Sequence, residues 1–191
     1  MNKILQFKIS LKGSKPLIWR RFQVESNKTF YDLHLIIQIV MGWTNTHLYH
    51  FCINKNYYIG NADSDSDDLD DMADDKTVRL TEIFAKPKSK AVYEYDFGDG
   101  WQHDVQLEKI LDRDPGQNYP VCLKGELNCP PEDCGGIGGF YFLIEALKDK
   151  KNPEHKSMTE WLGGNYDPEY FDLDEINQLL KNYKDYDLEL N

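Results

Sequence analysis

Residues 91–111, AVYEYDFGDGWQHDVQLEKIL, read as a β-hairpin, and the rest of the chain can be laid out from it. On the first arm Tyr93, Tyr95 and Phe97 alternate with Val92, Glu94 and Asp96. On the second, Trp101, His103, Val105 and Leu107 alternate with Gln102, Asp104, Gln106 and Glu108. A two-residue turn at Asp99-Gly100 would set Phe97 beside Gln102, the apolar face of one arm against the polar face of the other. A three-residue loop, Gly98-Asp99-Gly100, pairs Phe97 with Trp101, Tyr95 with His103 and Tyr93 with Val105, and is the expected register. One face is then aromatic and assigned to the core. The other sets Glu94 opposite Asp104, with Asp96 nearby; that acidic patch is either solvated or meets a cation or basic group.

Outward from the hairpin, Leu5, Phe7, Ile9 and Leu11 alternate with polar residues and form a first strand, turned by Gly13-Ser14-Lys15-Pro16 into a second over 17–24. Thr29 with Asp32 three residues on has the form of a helix N-cap. Phe30, Leu33, Ile36, Ile37, Val40 and Met41 follow at helical spacing, and Gly42 stops the helix. Residues 48–53 and 57–59 give another strand pair, so the first 60 residues read strand, strand, helix, strand, strand. The aspartate-rich stretch 61–76 has almost no apolar residues and is expected to be a mobile loop inserted in the same domain. Within it Asp63-x-Asp65-x-Asp67 imitates a calcium loop, but Asp68 replaces the glycine at the sixth position and Asp74 the glutamate at the twelfth. Residues 78–84 and the central hairpin complete the sheet. Residues 119–136, rich in Pro, Gly and Cys, read as an ordered or ligand-bearing loop. A helix around Phe140, Leu143, Ile144 and Leu147 follows, then one capped by Asn152-Pro153 and ended by Gly163-Gly164, and one capped by Asp172 with Glu175. Strands come early and helices late, which is an α+β pattern, expected as a single domain over 1–191 with a mixed or antiparallel sheet.

The 191 residues carry 22 basic and 33 acidic side chains, a net charge of −11. This opposes non-specific attraction to phosphate backbones or anionic lipid, and the short lysine clusters at 86–90 and 148–151 do not reverse it. The most apolar run, 33–43, is too short and too interrupted to span a bilayer, and the N-terminus alternates like a strand and not a signal peptide. A cytoplasmic protein without membrane contact is expected. Its four cysteines are then thiols or metal ligands in preference to disulfides.

The run Tyr93-Glu94-Tyr95-Asp96-Phe97-Gly98-Asp99-Gly100-Trp101 with His103, followed by Cys122-Leu123-Lys124-Gly125-Glu126 and by Cys129-Pro130-Pro131-Glu132-Asp133-Cys134-Gly135-Gly136, resembles the plasmid pRiA4b ORF-3-like family. Trp19-Arg20, Leu33-His34, Gly42-Trp43, His47-Leu48 and Phe51 match its N-terminal pattern, and Trp161-Leu162-Gly163-Gly164 with Asp167-Pro168-Glu169 its C-terminal one. The resemblance covers almost the whole chain. It implies a passenger protein of bacteria, archaea, plasmids and transposable elements, some labelled TnpR-like, without implying an activity.

Three constellations could carry chemistry. Cys122, Cys129 and Cys134 lie close in sequence on a turn-rich segment and could converge on Zn²⁺, although the leading reading is plain buried thiols. His34 on the apolar face of the helix and His103 on the apolar face of the hairpin could meet and, with Asp96, Asp99 and one of His47 or His50, form an acid–base or metal cluster; core histidines are the alternative. Tyr95, Trp101, Asp96, Glu132 and Asp133 offer a recognition surface, where Glu132 and Asp133 also suit capping of the next helix. No nucleophile–base pairing is defensible from spacing. The expected function is therefore a non-enzymatic binding or accessory module for a protein or peptide. A metal-dependent hydrolase using the His/Asp cluster is the alternative, and a nucleic-acid accessory factor, opposed by the charge, a second.

Overall fold

The computed structural model describes residues 2–61 and 72–187. In chain order the elements are β1 (Ile4–Leu11), β2 (Trp19–Glu25), α1 (Phe30–Met41), β3 (Tyr49–Ile53), β4 (Tyr57–Gly60), β5 (Ala73–Asp74), α2 (Leu80–Ile83), β6 (Lys90–Tyr95), β7 (Trp101–Leu111), β8 (Val121–Glu126), α3 (Gly136–Lys148), α4 (His155–Leu162) and α5 (Leu173–Leu180), followed by a 3-10 turn (Tyr183–Asp187). The fold is α+β. Among the described residues the strands form one eight-stranded sheet in the order β5-β4-β3-β6-β7-β1-β2-β8, antiparallel except for the parallel β4–β5 pair. No described helix is long and apolar enough to cross a membrane.

Local chemistry accounts for α1. Thr29 Oγ1 accepts from Asp32 N at 3.2 Å while the Asp32 carboxylate accepts from Thr29 N at 3.1 Å, a reciprocal cap that satisfies two otherwise free donors. Gly42, at φ 97°, takes the left-handed conformation that ends the helix. The residues from Leu33 to Met41 are all buried because the sheet covers one side of α1 while α5 and the 3-10 turn pack on it from elsewhere. Phe30 reaches Phe51 of the sheet at 5.0 Å and Phe84 at 5.7 Å between ring centroids.

The hairpin forms with a different register. Tyr95 pairs with Trp101, Tyr93 with His103 and Ala91 with Val105, leaving a five-residue loop over 96–100. Asp96 starts the turn. Its backbone is left-handed at φ 57°, and its Oδ1 accepts from Gly98 N at 2.9 Å and Asp99 N at 3.3 Å, nucleating a tight turn one pair before the expected loop. A slip of two residues leaves every side chain on its original face, so alternation cannot distinguish the two registers. Tyr93, Tyr95, Trp101 and His103 are buried as expected, whereas Phe97 leaves the strand and is 40% exposed. The Glu94–Asp104 opposition does not exist: Glu94 faces Gln102 and accepts from its Nε2 at 3.1 Å, and Asp104 faces Val92.

Other expectations also change. Residues 78–84 contain the short helix α2, started where Arg79 N donates to Glu82 Oε1 at 2.7 Å. Part of the irregular stretch 119–136 is strand β8, paired with β2 through a bulge that obscures its alternation. Helix α4 begins at His155, because Asn152 Oδ1 accepts from Glu154 N and closes a turn around Pro153 instead of capping there. Most of the acidic loop, with its calcium-like run, lies outside the described residues. Its end is ordered: β5 pairs with β4, and Asp75 is fully buried.

The hairpin loop docks on the glycine-rich start of α3. Asp99 Oδ2 accepts from Gly135 N at 3.1 Å, and a Cβ on Gly136, at φ 66°, would lie 2.5 Å from the Asp99 carbonyl oxygen. Gly136→Ala is therefore expected to cost roughly 1–3 kcal/mol, since it adds both a clash and a disfavoured backbone conformation. Denaturant unfolding checks this; a loss below about 0.5 kcal/mol would show that the two loops separate without penalty.

Candidate functional site

The site lies where the loop after α1, the hairpin loop and the segment before α3 meet. Trp43 anchors the first of these by packing within 5.4 Å of both Tyr95 and Trp101. Asn45, at φ 59°, turns the chain, and Thr46 N donates to Tyr95 Oη at 3.0 Å, which places His47 just before β3. From the other side Glu132 uses Oε1 to accept from Thr44 N at 2.7 Å, Thr44 Oγ1 at 3.0 Å and Tyr95 Oη at 3.1 Å. The second oxygen, Glu132 Oε2, is buried with no hydrogen-bond partner among the described residues, and it lies 3.6 Å from His47 Nε2, which is also buried and without one among them.

His47 is surrounded by carboxylates. Its Nε2 is 3.4 Å from Asp133 Oδ1, and its Nδ1 is 3.8 Å from Asp96 Oδ1. His47, Asp96 and Asp133 form the one group of three or more ligand-type side chains, among the described residues, whose donor atoms lie within 4.8 Å of one another. Two carboxylates at that spacing repel by at most about 3 kcal/mol at an effective dielectric constant of 20, because the exposed Asp133 is screened by solvent. A positive charge among them offsets the repulsion. Donors held about 2.1 Å from a tetrahedral ion are about 3.4 Å apart, close to the 3.4 and 3.6 Å spacings from His47 Nε2 to Asp133 and Glu132.

A cavity of about 200 Å³ adjoins this cluster, with His47 in its wall together with Tyr31, His34, Tyr49, Asp75 and Phe97. Tyr49 donates its hydroxyl to Asp75 Oδ2, while the buried Asp75 Oδ1 has no hydrogen-bond partner among the described residues. Burial raises the Asp75 carboxyl above its usual range against the lowering effect of the Tyr49 hydroxyl. His34 stacks on Tyr49 with ring centroids 3.3 Å apart. Its tautomer follows from its neighbours. Gln38 Nε2 donates to Tyr93 Oη at 2.8 Å, Tyr93 donates on to His34 Nδ1 at 2.9 Å, and His34 Nε2 donates to Asn45 Oδ1 at 2.7 Å.

The expected site residues divide. Asp96, Glu132, Asp133 and Tyr95 converge here. His34 and His103 do not meet, because Tyr93 stands between them at 6.0 and 5.6 Å. Trp101 is a core residue, and Asp99 binds the backbone of Gly135. Cys122, Cys129 and Cys134 form no group with metal spacing; Cys122 Sγ contacts the carbonyls of Arg21 and Lys124. Burial pushes the Cys122 thiol up to about 11 and the Cys134 thiol up to about 12. Asp75 was missed because it sits in an aspartate run that reads as uniformly solvated.

Burial drives His34 down to about 3 and His103 to about 4. Both values lie below the unfolded value near 6.5, so their neutral burial is fully stabilising above pH 6.5. The contribution is lost as pH falls toward 4, where the unfolded chain binds protons that the folded chain refuses. The pair is expected to remove about 2 kcal/mol between pH 6.5 and 5.5. Urea unfolding across that interval measures it, and His103→Leu should remove about half of the slope. A slope unchanged in that variant would contradict the assignment.

The fold is α+β, with an aromatic hairpin, a proline-and-cysteine loop and a histidine–carboxylate cluster between them. The chain belongs to the plasmid pRiA4b ORF-3-like protein family, whose model matches residues 3–175. It is 32% identical over 177 residues to the uncharacterized protein y4hQ of Sinorhizobium fredii (strain NBRC 101917 / NGR234), covering 92% of this chain and 89% of that one. The crystal structure of MM3350 from Methanosarcina mazei Go1, a protein of unknown function, has a similar fold. Its TM-score is 0.81 and its sequence identity 41%, over 92% of this chain and 98% of that one.

Proposed function

We propose that this protein is a divalent-cation-dependent binding module whose centre is His47, Asp96 and Asp133, beside the carboxylate of Glu132. The observation that carries the reading is the pairing of His47 Nε2 with Glu132 Oε2, two buried polar atoms without hydrogen-bond partners among the described residues and 3.6 Å apart. An imidazole with carboxylates suits Zn²⁺ or Mn²⁺. The proposal moves the metal from the three cysteines to the hairpin side of the same loop. An accessory role, in which the ion organises a recognition surface for a partner, fits a site built from three loops. A hydrolase is the second reading, favoured by the polar cavity next to His47, where a metal-bound water would face a substrate.

Untagged protein stripped with chelator and titrated with Zn²⁺ and Mn²⁺ in a calorimeter tests the site. One ion per chain is expected, with at least tenfold weaker binding in Asp96→Asn, which keeps an oxygen for Gly98 N but removes the charge. Absence of saturable binding by both ions would overturn the reading.

A further inference from the structure

The cavity beside His47 has the chemistry of a cation receptor, and the cation it suits is organic. Tyr31, Tyr49 and Phe97 give it aromatic walls, and Asp75 brings a fully buried carboxylate whose Oδ1 has no hydrogen-bond partner among the described residues. An ammonium over a tyrosine face is attracted by the ring quadrupole, and a desolvated carboxylate strengthens that attraction. Among the described residues Asp75 belongs to no group of converging donors, which disfavours a metal ion there. His34 does not compete as a cation, because it is buried and neutral and its two nitrogens are engaged by Tyr93 and Asn45. The wall already holds an ammonium of the chain's own: Lys76 Nζ lies 5.2 Å from the Tyr31 ring centroid.

We infer that this cavity binds an organic ammonium group, with Asp75 as counter-ion, Tyr31, Tyr49 and Phe97 as the aromatic enclosure, and Lys76 as a tethered competitor at its wall. The group could come from a free small amine or from a lysine side chain of a partner. The inference stands on residues other than the proposed metal ligands except His47, which borders both sites.

Titration of the full chain with methylammonium, tetramethylammonium, Nα-acetyl-lysine methylamide and the uncharged isostere neopentyl alcohol, followed by saturation-transfer NMR and calorimetry, tests it. At least one ammonium is expected to bind saturably, and about tenfold more tightly than the alcohol. Preference for the methylammoniums assigns a free amine; preference for the lysine derivative assigns a partner's side chain. Asp75→Asn should weaken binding about tenfold while leaving the Zn²⁺ or Mn²⁺ titration unchanged, which separates this site from the metal centre. Lys76→Met, at an exposed position, should tighten ammonium binding. Equal binding of the alcohol, no saturable binding by any ammonium, or weaker binding in Lys76→Met would each overturn the inference; the last keeps it testable should Asp75→Asn fail to fold.

Discussion

Arg20→Met is expected to cost about 3–5 kcal/mol of folding stability, the largest single loss outside the aromatic core. Arg20 is buried, and its guanidinium is held by carbonyl oxygens: Nε donates to Val40 O at 2.7 Å, one terminal nitrogen to Trp19 O at 2.8 Å and Glu126 O at 2.9 Å, and the other to Leu127 O at 2.7 Å. The opposite face lies 4.8 Å from the Phe171 ring. One side chain thus ties β2 to the end of α1, to the end of β8 and to the segment leading into Cys129 and Glu132. Burial lowers its pKa from the usual value, opposed by the nearby thiols, but a guanidinium starting near 12.5 remains charged. Methionine would fill much of the volume and take a donor from four carbonyls, those of Val40 and Trp19 in buried bonds and those of Glu126 and Leu127 in partly buried ones, each loss worth about 1 kcal/mol. Lysine, with one ammonium and no planar fork, should recover less than half. Guanidinium chloride unfolding at constant m measures the loss; a value under about 1 kcal/mol would mean that water reaches those carbonyls.

The second large effect concerns the proposed metal centre. Wild-type protein with Zn²⁺ or Mn²⁺ at a hundredfold excess over the dissociation constant should gain about 3 kcal/mol, because an ion bound by the folded chain alone stabilises by mass action. For a chain of this length that corresponds to a rise of roughly 5–10 °C in thermal midpoint. His47→Gln should lose the whole rise, because its amide cannot supply the imidazole nitrogen that faces Asp133 and Glu132. Gln carries no charge, so the variant without metal retains the repulsion between Asp96 and Asp133 and should be no more stable than the wild type. An equal midpoint shift in the variant and the wild type would mean that the ion binds elsewhere.

The residues that made the family resemblance legible divide between these two effects. Arg20, Gly136 and the aromatic face of the hairpin hold the frame, whereas Asp96, Glu132 and Asp133 lie at the candidate centre. Motif residues report both kinds of constraint alike, and in the linear sequence the frame and the site cannot be told apart. Cys122 illustrates the difficulty: a cysteine near two others suggests a metal, yet its thiol sits against backbone carbonyls and is pushed up to about 11.

What the sequence by itself determined is the set of elements governed by local chemistry and by which face turns inward. These are the Thr29–Asp32 cap and Gly42 stop of α1, the two hairpins, the inward set Tyr93, Tyr95, Trp101 and His103, and the α+β order. What only the tertiary structure decided depends on distances between segments far apart in the chain. The hairpin register moved by two residues without changing a face, because the hydrogen bonds of Asp96, and not the alternation, place the turn. Strand β8 was hidden by its bulge, and Asp75 by the aspartates around it. The meeting of His47 with Asp96 and with Glu132 and Asp133 joins residues up to 86 positions apart. Periodicity reports which way a side chain points relative to its own element; only the packing of three loops reports what it meets.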